Sequence, residues 1–351
     1  MTPHAPAALL EPVTVPGLGT LKNRVVMSAM TRSFATADHL CTPEIASYYE
    51  RRAASGVGLI LTEGIIVHPS GDGYNTVTHL HTQAQADSWR QAVAAVQRHG
   101  TRIYAQLWHC GRISHSDYTA GFDVVSSTDK PAAGMNRQNG KPFGVPRALR
   151  PDEMPAIHEM FCHSAELAFQ AGFDGIQLHM GHGYLVDQFL DGHVNDRTDA
   201  YGGSVENRCR FALELLEAVM ARLGTERVMV RISPSRMMGG LYEWPDMDAM
   251  LDTLIAGFSR LGLRQLDVSC ANADYFQTSG KVIRRIRSRW PHLLVGGASL
   301  SIDAAESEIS EGHVDLVTWG RALLANPDFV QRVSRDEPLR PFAEPMRITL
   351  V

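Results

Sequence analysis

The residue types best suited to chemistry stand together in one short stretch, His179-Met180-Gly181-His182-Gly183-Tyr184. His179 and His182 are three positions apart, and both imidazoles can converge there on one ligand atom. Tyr184 adds a phenol, a weak acid that stays neutral at pH 7. A purely structural role for the histidines remains open. We predict no metal site, because the third ligand and the HExxH helix of a zinc hydrolase are missing.

Other polar residues follow apolar, strand-like runs along the chain. They stand in the stretches Met30-Thr31-Arg32, Thr62-Glu63-Gly64, Gln106-Leu107-Trp108-His109 and Arg231-Ile232-Ser233-Pro234. In a parallel barrel, reactive side chains project from the carboxyl ends of the strands. A barrel with a purely structural role would not need so many polar groups there, so these stretches indicate an active site.

The order of segments predicts the elements that would hold these residues. Short apolar, β-branched runs alternate with longer segments of helical period, as expected for parallel strands joined by crossover helices. The predicted strands are Arg24–Met30, Gly58–Ile65, Arg102–Trp108, Gly175–His179, Arg227–Ile232, Gln265–Ser269, Leu293–Gly297 and Leu316–Gly320. The predicted helices are Pro43–Ala54, Ala84–His99, Pro151–Ala171, Ser204–Leu223, Asp246–Leu261, Lys281–Arg287, Ile302–Glu311 and Pro327–Val333. Eight such pairs predict an α/β fold, a closed (β/α)8 TIM barrel, with residues 1–351 as a single domain.

Three further features bear on this architecture. An open doubly wound sheet is the alternative fold, but it needs a GxGxxG turn after the first strand, which the sequence lacks. The segment VTVPGLGTLKN (13–23) predicts a hairpin that caps the N-terminal mouth of the barrel. The longest insertion, about Ser114 to Arg150, follows the third strand, where a barrel carries a loop over its active-site face.

Composition and charge exclude several classes of partner. The formal net charge is −5 and no Lys/Arg-rich run is present, so nucleic acids and anionic membranes are not expected partners. Neither a signal-peptide pattern nor an apolar span of ~20 residues occurs, which predicts a cytoplasmic protein. The five cysteines are far apart, without the CxxC pairs of zinc or iron–sulfur sites. A small-molecule substrate is the expected partner, and the chain is expected to be a monomer or a homodimer.

Six longer stretches, in order along nearly the whole chain, carry a more specific signal. They are LKNRVVMSAMTR (21–32), GLILTEG (58–64), AQLWHCGR (105–112), DGIQLHMGHGYLVDQFLDGHVNDRTDAYGGSVENRCRF (174–211), VRISP (230–234) and DLVTWGRALLANPDF (315–329). Together they resemble the Old Yellow Enzyme family of flavin ene-reductases, and the fourth is the most diagnostic. The resemblance implies a NAD(P)H-dependent enzyme with noncovalent FMN, which reduces activated C=C bonds in enones, nitroalkenes and similar compounds.

The resemblance also implies how the flavin ring would be held. Thr31 would donate to the flavin carbonyl next to N5, and Gln106 would offer its amide to the pyrimidine edge. Arg231 would lie beside N1, where a fixed cation stabilises the negative charge of the reduced flavin. A plain ion pair with a carboxylate is the alternative for this arginine. The remaining predicted ring contacts are Ala29, Met30 and Gly64, and a core role is equally open for the first two.

The phosphate of FMN needs backbone N–H groups and a cation, which barrels often supply after strands 7 and 8. The stretches GGAS (296–299) and WGRA (319–322) end the last two predicted strands. The predicted phosphate residues are therefore Gly297, Ala298, Gly320 and Arg321. Glycine is frequent in any strand-to-helix turn, so Arg321 makes the prediction more specific.

The same resemblance assigns the substrate pocket. His179 and His182 would donate hydrogen bonds to the oxygen of the substrate's electron-withdrawing group, as the donors of an oxyanion hole do. Tyr184 would protonate the α-carbon from the face opposite the flavin, or would only shape the pocket. Trp108 and Tyr74 would wall the cavity, with ordinary aromatic packing as the alternative for both.

The sequence departs from the family pattern at three places. After Tyr74, the family's Pro-Gly-Ile-aromatic run is replaced by residues 75–81, in which His79 and His81 would make the pocket rim more polar. The segment 270–276 is short, and the chain ends at PFAEPMRITLV without a longer aromatic tail.

Two other functions stay open. One is an FMN enzyme of the same fold that catalyses a biosynthetic dehydrogenation or isomerisation, and the other is a non-enzymatic FMN-binding protein.

Overall fold

Buried apolar runs of the chain pair in parallel and close a barrel, which confirms the predicted α/β fold. The computed structural model describes residues 7–237, 240–271 and 273–351, so residues 1–6, residues 238–239 and position 272 of the short segment 270–276 lie outside it. The strands are β1 (Val13–Val15), β2 (Gly19–Leu21), β3 (Val25–Met27), β4 (Leu59–Ile66), β5 (Arg102–Trp108), β6 (Val125–Ser126), β7 (Arg147–Ala148), β8 (Gly175–His179), β9 (Val228–Ile232), β10 (Ser235–Met237), β11 (Leu241–Glu243), β12 (Gln265–Val268), β13 (Leu293–Ala298) and β14 (Leu316–Trp319). The closed barrel has the order β3-β4-β5-β8-β9-β12-β13-β14.

Helices join successive barrel strands, as crossover connections require. They are α1 (Ala7–Leu10), α2 (Pro43–Ser55), α3 (Gln83–Gln97), α4 (Met154–Ala171), α5 (Leu185–Leu190), α6 (Val205–Leu223), α7 (Met247–Leu261), α8 (Ser279–Ile286), α9 (Ile302–Ser310), α10 (Arg321–Ala325) and α11 (Phe329–Ser334). All eight predicted helices and all eight predicted strands are present, with ends within three residues of the prediction. Within the described ranges, no helix is long and apolar enough to cross a membrane.

The largest difference in a strand boundary is at β3, which ends at Met27 and not at the predicted Met30. The N–H of Ser28 still donates to the carbonyl of Trp319 over 3.0 Å. Beyond it the backbone leaves the barrel wall, and the N–H of Arg32 donates to the carboxylate of the buried Glu63 over 2.9 Å. Residues 29–31 are therefore part of a loop at the mouth of the barrel.

The predicted capping hairpin is confirmed. Strands β1 and β2 pair antiparallel, with Val13 opposite Leu21. Val15, Leu18 and Leu21 belong to one buried cluster with residues of the barrel strands, including Leu59. Because Leu59 begins β4, this cluster lies at the amino ends of the strands and closes the end opposite the polar strand ends.

The insertion after β5 packs against the segment that follows β8. The hydroxyl of Ser126 donates to Oε1 of Gln188 over 2.8 Å, and that of Ser127 donates to the Gln188 carbonyl over 2.6 Å. Farther along, the side-chain amide of Asn136 donates to the carbonyl of Gly73 over 2.7 Å. The insertion therefore lies over the carboxyl ends of the strands, as predicted.

Several short elements were not predicted from the sequence. Helix α5, helix α10 and the antiparallel pair β10–β11 contain only three to six residues each. Elements this short have no periodic pattern to detect, because tertiary contacts supply most of their stability.

Candidate active site

A pocket at the carboxyl ends of the strands brings together residues from β5, β8, β9 and the loop after β3. It is lined by Ala29, Thr31, Gln106, Trp108, His179, His182, Tyr184 and Arg231. All eight are residues that the sequence analysis assigned to the cofactor or the substrate. The barrel thus places side chains from four separate parts of the chain at one mouth, as parallel strands do at their carboxyl ends.

Local backbone geometry aims the two histidines. His179 is the last residue of β8, and the N–H of Gly181 approaches its Nδ1 at 3.4 Å, which leaves the ring hydrogen on Nε2. His182 has a left-handed backbone with φ 59°, and its N–H donates to Oγ of Ser233 over 2.6 Å. Glycine is needed at 181, because a Cβ there would lie 2.6 Å from the same Oγ.

The imidazoles of His179 and His182 face each other edge to face, with ring centroids 5.0 Å apart. Burial lowers the pKa of both well below 6.5, and the nearby guanidinium groups of Arg231 and Arg236 lower it further. Both rings are therefore neutral at pH 7, and each has one N–H to donate. Nε2 of His182 is buried and has no hydrogen-bond partner among the described residues. Buried polar atoms in proteins normally have a hydrogen-bond partner, and a bound ligand would supply one here.

Tyr184 lies beside the histidines. Its ring centroid is 5.1 Å from that of His179 and 4.7 Å from that of Trp108. Its hydroxyl is 2.9 Å from the hydroxyl of Tyr74, the other predicted wall residue. Burial raises the pKa of Tyr184 well above its usual value of 10, so the phenol keeps its proton.

A carboxylate that the sequence analysis missed holds the loop between the histidines and Tyr184. Asp187 accepts the N–H of Gly183 over 2.6 Å and the indole N–H of Trp244 over 2.8 Å. It also pairs with Arg236 at 2.9 Å. Burial raises the pKa of Asp187 to about 6, although Arg236 acts to lower it. The sequence does contain a signal for Asp187, because it is a charged residue within the apolar stretch that follows Tyr184.

Gly64 is needed for the position of Trp108. A Cβ at residue 64 would lie 2.3 Å from the indole of Trp108. Opposite Gly64 in the barrel register stands Gln106. Besides its predicted role, Gly64 thus has a structural one, because the absence of a side chain leaves room for the indole next to β4.

A buried polar network inside the barrel fixes Gln106 and Arg231. Nε2 of Gln106 donates to Gln177 over 2.7 Å, and Gln177 donates to Asp267 over 2.8 Å. Asp267 also accepts Nε of Arg231 over 2.7 Å. The carboxylate pairing that was the alternative for Arg231 is therefore present. It holds the guanidinium at the pocket, where Arg231 also donates to Ser28 over 3.1 Å.

The four predicted phosphate residues lie at the ends of two neighbouring strands, since Ala298 is in register with Trp319, one residue before Gly320. Gly297 has φ 131°, and a Cβ there would meet the carbonyl of Thr318 at 2.5 Å. Ala298 follows with φ 90°, which is unusual for a residue with a side chain. Arg321 is exposed.

The C-terminal segment reaches the same side of the barrel. The guanidinium of Arg321 lies 5.4 Å from the ring centroid of Phe342. Arg32 donates to the carbonyls of Met346 and Arg347 over 3.2 and 3.1 Å. Sequence reasoning did not anticipate this docking, because it joins residues more than 300 positions apart.

Met30 packs against the core and also lies beside the phosphate strands. A Cβ at Gly320 would be 3.1 Å from its sulfur. Met30 therefore lies between the predicted ring contacts and the predicted phosphate turn. A contact with the flavin ring and a role in the core both stay open for it.

This lining fits the chemistry of FMN. Arg231 is a fixed cation, and Gln106 donates one Nε2 hydrogen to Gln177, which fixes the amide while Oε1 can still accept a hydrogen bond. The unpartnered Nε2 of His182 offers a polar contact on the substrate side. Glycines at 297 and 320 let backbone N–H groups come close to an anion.

Known proteins of one family are similar to this chain in sequence and in fold. The model of the NADH:flavin oxidoreductase / NADH oxidase family matches residues 8–340. The chain is 34% identical over 343 residues to putative 12-oxophytodienoate reductase 2 of Oryza sativa subsp. japonica, covering 96% of this chain and 90% of the relative. It superposes on an old yellow enzyme homologue from Zymomonas mobilis with a TM-score of 0.91 and 32% identity, over 97% and 96% of the two chains. Morphinone reductase gives a TM-score of 0.88 at 32% identity, over 99% of this chain and 94% of that one.

Proposed function

The chain belongs to the NADH:flavin oxidoreductase / NADH oxidase family, and from that premise we propose that it reduces activated C=C bonds with hydride from NAD(P)H. Bound FMN would supply the hydride-transfer chemistry that links the nicotinamide to the substrate. One observation carries the proposal: His179, His182 and Tyr184 converge on the pocket that Gln106 and Arg231 also line.

In this proposal His179 and His182 bind the carbonyl or nitro oxygen of the substrate. Negative charge moves onto that oxygen when hydride adds to the β-carbon, and neutral N–H donors already aimed at it need no reorganisation. The support is that both imidazoles are neutral and that Nε2 of His182 has no other partner among the described residues. The two rings are thus donors and not acids.

Tyr184 supplies the proton for the α-carbon. Because its pKa is raised, the phenol stays protonated and gives up its proton only to a strongly basic carbon. The hydroxyl of Tyr74, 2.9 Å away, would orient the phenol and can stabilise the phenolate left behind. Trp108 fixes the ring from the side.

Arg231 and the two strand-end turns would hold FMN. The guanidinium, fixed by Asp267, would stand beside N1, with Gln106, Thr31, Ala29, Met30 and Gly64 as the other ring contacts. Gly297, Ala298, Gly320 and Arg321 would bind the phosphate. We further propose that residues 1–351 act as one cytoplasmic unit, a monomer or a homodimer, that has no nucleic-acid partner.

The test of the function is NADPH oxidation by the purified protein under anaerobic conditions, with and without 2-cyclohexenone, a nitroalkene or a maleimide. We expect substrate-dependent oxidation and a saturated product for at least one of the three. Bound flavin without any such reaction would favour the dehydrogenation or isomerisation alternative. A colourless protein that FMN cannot reconstitute would contradict the proposal as a whole.

Arg321→Ala is expected to weaken FMN retention. A charge-assisted hydrogen bond to phosphate contributes about 1.5–3 kcal/mol, which is roughly a 10- to 150-fold increase in Kd. The measurement is the release of flavin on dilution, followed by its fluorescence. Arg335→Ala is the matched control, because Arg335 is an exposed arginine like Arg321, but its ion-pair partner is Glu337. Equal retention in the two variants would remove Arg321 from the phosphate site.

A further inference from the structure

A group of metal-ligand residues lies near the candidate active site, in loops to which the proposed flavin chemistry assigns no role. His39 belongs to the loop after β3, and Asp72 and His79 belong to the loop after β4. One ring nitrogen of each histidine and a carboxylate oxygen of Asp72 all lie within 4.8 Å of one another. The two imidazole rings stack with centroids 3.7 Å apart.

Hydrogen bonds prepare the histidines for a cation. Nδ1 of His39 is 2.8 Å from the carbonyl of Val77, so it carries the ring hydrogen and the lone pair is on Nε2. Histidines that bind metals usually hold their second N–H on a carbonyl or a carboxylate in this way. Nε2 of His79 is 2.8 Å from Oδ2 of Asp72. These two atoms share one proton that a metal ion can replace, since metal binding at such a site releases protons.

The surroundings add two observations. Nδ1 of His79 is buried without a hydrogen-bond partner among the described residues. An imidazole binds a metal ion in the plane of its ring, so the His79 ring must turn out of its stack on His39 and give up its bond to Asp72 when the ion binds. Asp72 is fully buried, and within the described ranges its ion-pair partner is the imidazole of His79. A buried carboxylate without a lasting positive charge beside it is costly, and a divalent cation would remove that cost.

Two of the three residues border a cavity that an ion could enter. His39 and His79 line a cavity of about 480 Å³ together with His81 and Tyr118. Two imidazoles and one carboxylate make three protein ligands, and water from the cavity would complete a tetrahedron, as in open zinc sites. This ligand set suits Zn²⁺ and neighbouring transition metals, and it does not suit Mg²⁺, which prefers oxygen ligands.

We propose that His39, Asp72 and His79 form a binding site for one divalent transition-metal ion, with Zn²⁺ as the best fit. The ion joins the loops after β3 and β4. It also acts on the substrate pocket, because Oδ1 of Asp72 accepts the N–H of Tyr74 over 2.8 Å and the hydroxyl of Tyr74 contacts Tyr184. Binding of the ion therefore makes the position of Tyr74 more rigid.

The experiment uses the flavin-loaded protein without a polyhistidine tag, freed of metal by EDTA and dialysis. Titration calorimetry with Zn²⁺ should show one ion per chain, and Mg²⁺ should give no signal. X-ray absorption at the zinc edge should show two imidazole nitrogens and oxygen ligands at about 2.0–2.2 Å. The melting temperature should rise until one equivalent has been added, because the ion binds only the folded state.

Variants connect the bound ion with these residues. His39→Gln and His79→Gln should each raise the Kd for Zn²⁺ by at least about 10-fold, since even the outer partners of metal ligands have effects of that size. His313→Gln is the matched control, because His313 stands in the other group of metal-ligand residues, with Glu308 and Glu311.

The outcomes separate cleanly. A Kd that only His313→Gln changes, or no stoichiometric binding, would overturn the proposal. If a variant fails to fold, the absorption spectrum of the unaltered protein still decides, because a zinc ion without two imidazole ligands contradicts the site. None of these readouts depends on ene-reduction, so the two proposals fail independently.

Discussion

Removal of either pocket histidine should slow enone reduction by a factor of about 10²–10³, equivalent to about 2.7–4 kcal/mol, as for the loss of one oxyanion-hole donor. His179→Ala and His182→Ala each remove one neutral N–H from the position where the substrate oxygen becomes negative. Nε2 of His182 is buried without a partner among the described residues, so this donor is not already used within the protein. The double variant should cost less than the sum, because both donors act on one atom.

Stopped-flow mixing of the reduced enzyme with 2-cyclohexenone would measure this rate. His179→Asn and His182→Asn keep an N–H donor and should recover part of the lost rate. His99→Ala is the control, because His99 precedes β5 at the opposite end of the barrel and should leave the rate unchanged.

Binding of a para-substituted phenol gives an independent readout for the same pair. An electron-rich phenolate that stacks on oxidised flavin is expected to produce a long-wavelength charge-transfer band. The double alanine variant should bind it much more weakly than the unaltered protein. The same affinity in both would show that the two histidines do not anchor the ligand.

Tyr184→Phe should separate the two halves of the catalytic cycle. Reduction of the flavin by NADPH needs no proton from the phenol and should keep its rate. Enone reduction should slow by about 10²–10⁴-fold, the range for loss of a general acid. Burial raises the pKa of Tyr184, so the unaltered phenol stays a proton donor through neutral and mildly alkaline pH.

Anaerobic single-turnover kinetics of each half-reaction would measure both rates. Tyr74→Phe is the matched control, because it removes the hydroxyl 2.9 Å from that of Tyr184 and leaves the acid itself in place. Its effect on enone reduction should be clearly smaller. If Tyr184→Phe slows both half-reactions equally, the tyrosine serves packing and not proton transfer.

Much of the fold could be predicted from the sequence, because its signals are local. Each barrel strand is a short apolar run, and β4 is buried at every position from Leu59 to Ile66. Helix α3 begins with the capping box of Thr82 and Gln85, which is visible as a four-residue pattern. The predicted end of β3 lies three residues too late, because the end depends on the hydrogen bond from Arg32 to Glu63 and not on local composition.

The candidate site was predicted for a related reason. In a parallel barrel all carboxyl ends meet at one mouth, so polar residues at strand ends are necessarily brought near each other. Eight of the residues that the family resemblance assigned line one pocket at that mouth. The sequence by itself thus determined the fold class, the end of the barrel at which the candidate site lies and the residue types available there.

Only the tertiary structure decided which groups touch. Arg231 pairs with Asp267 across two strands, Tyr74 meets Tyr184 across 110 positions, and Trp108 rests on Gly64. His182 is aimed by a left-handed backbone that Ser233, the residue after β9, supports. Such contacts depend on distances of a few ångströms between segments far apart in the chain. Local residue patterns carry no record of those distances, because they are set when the whole barrel closes.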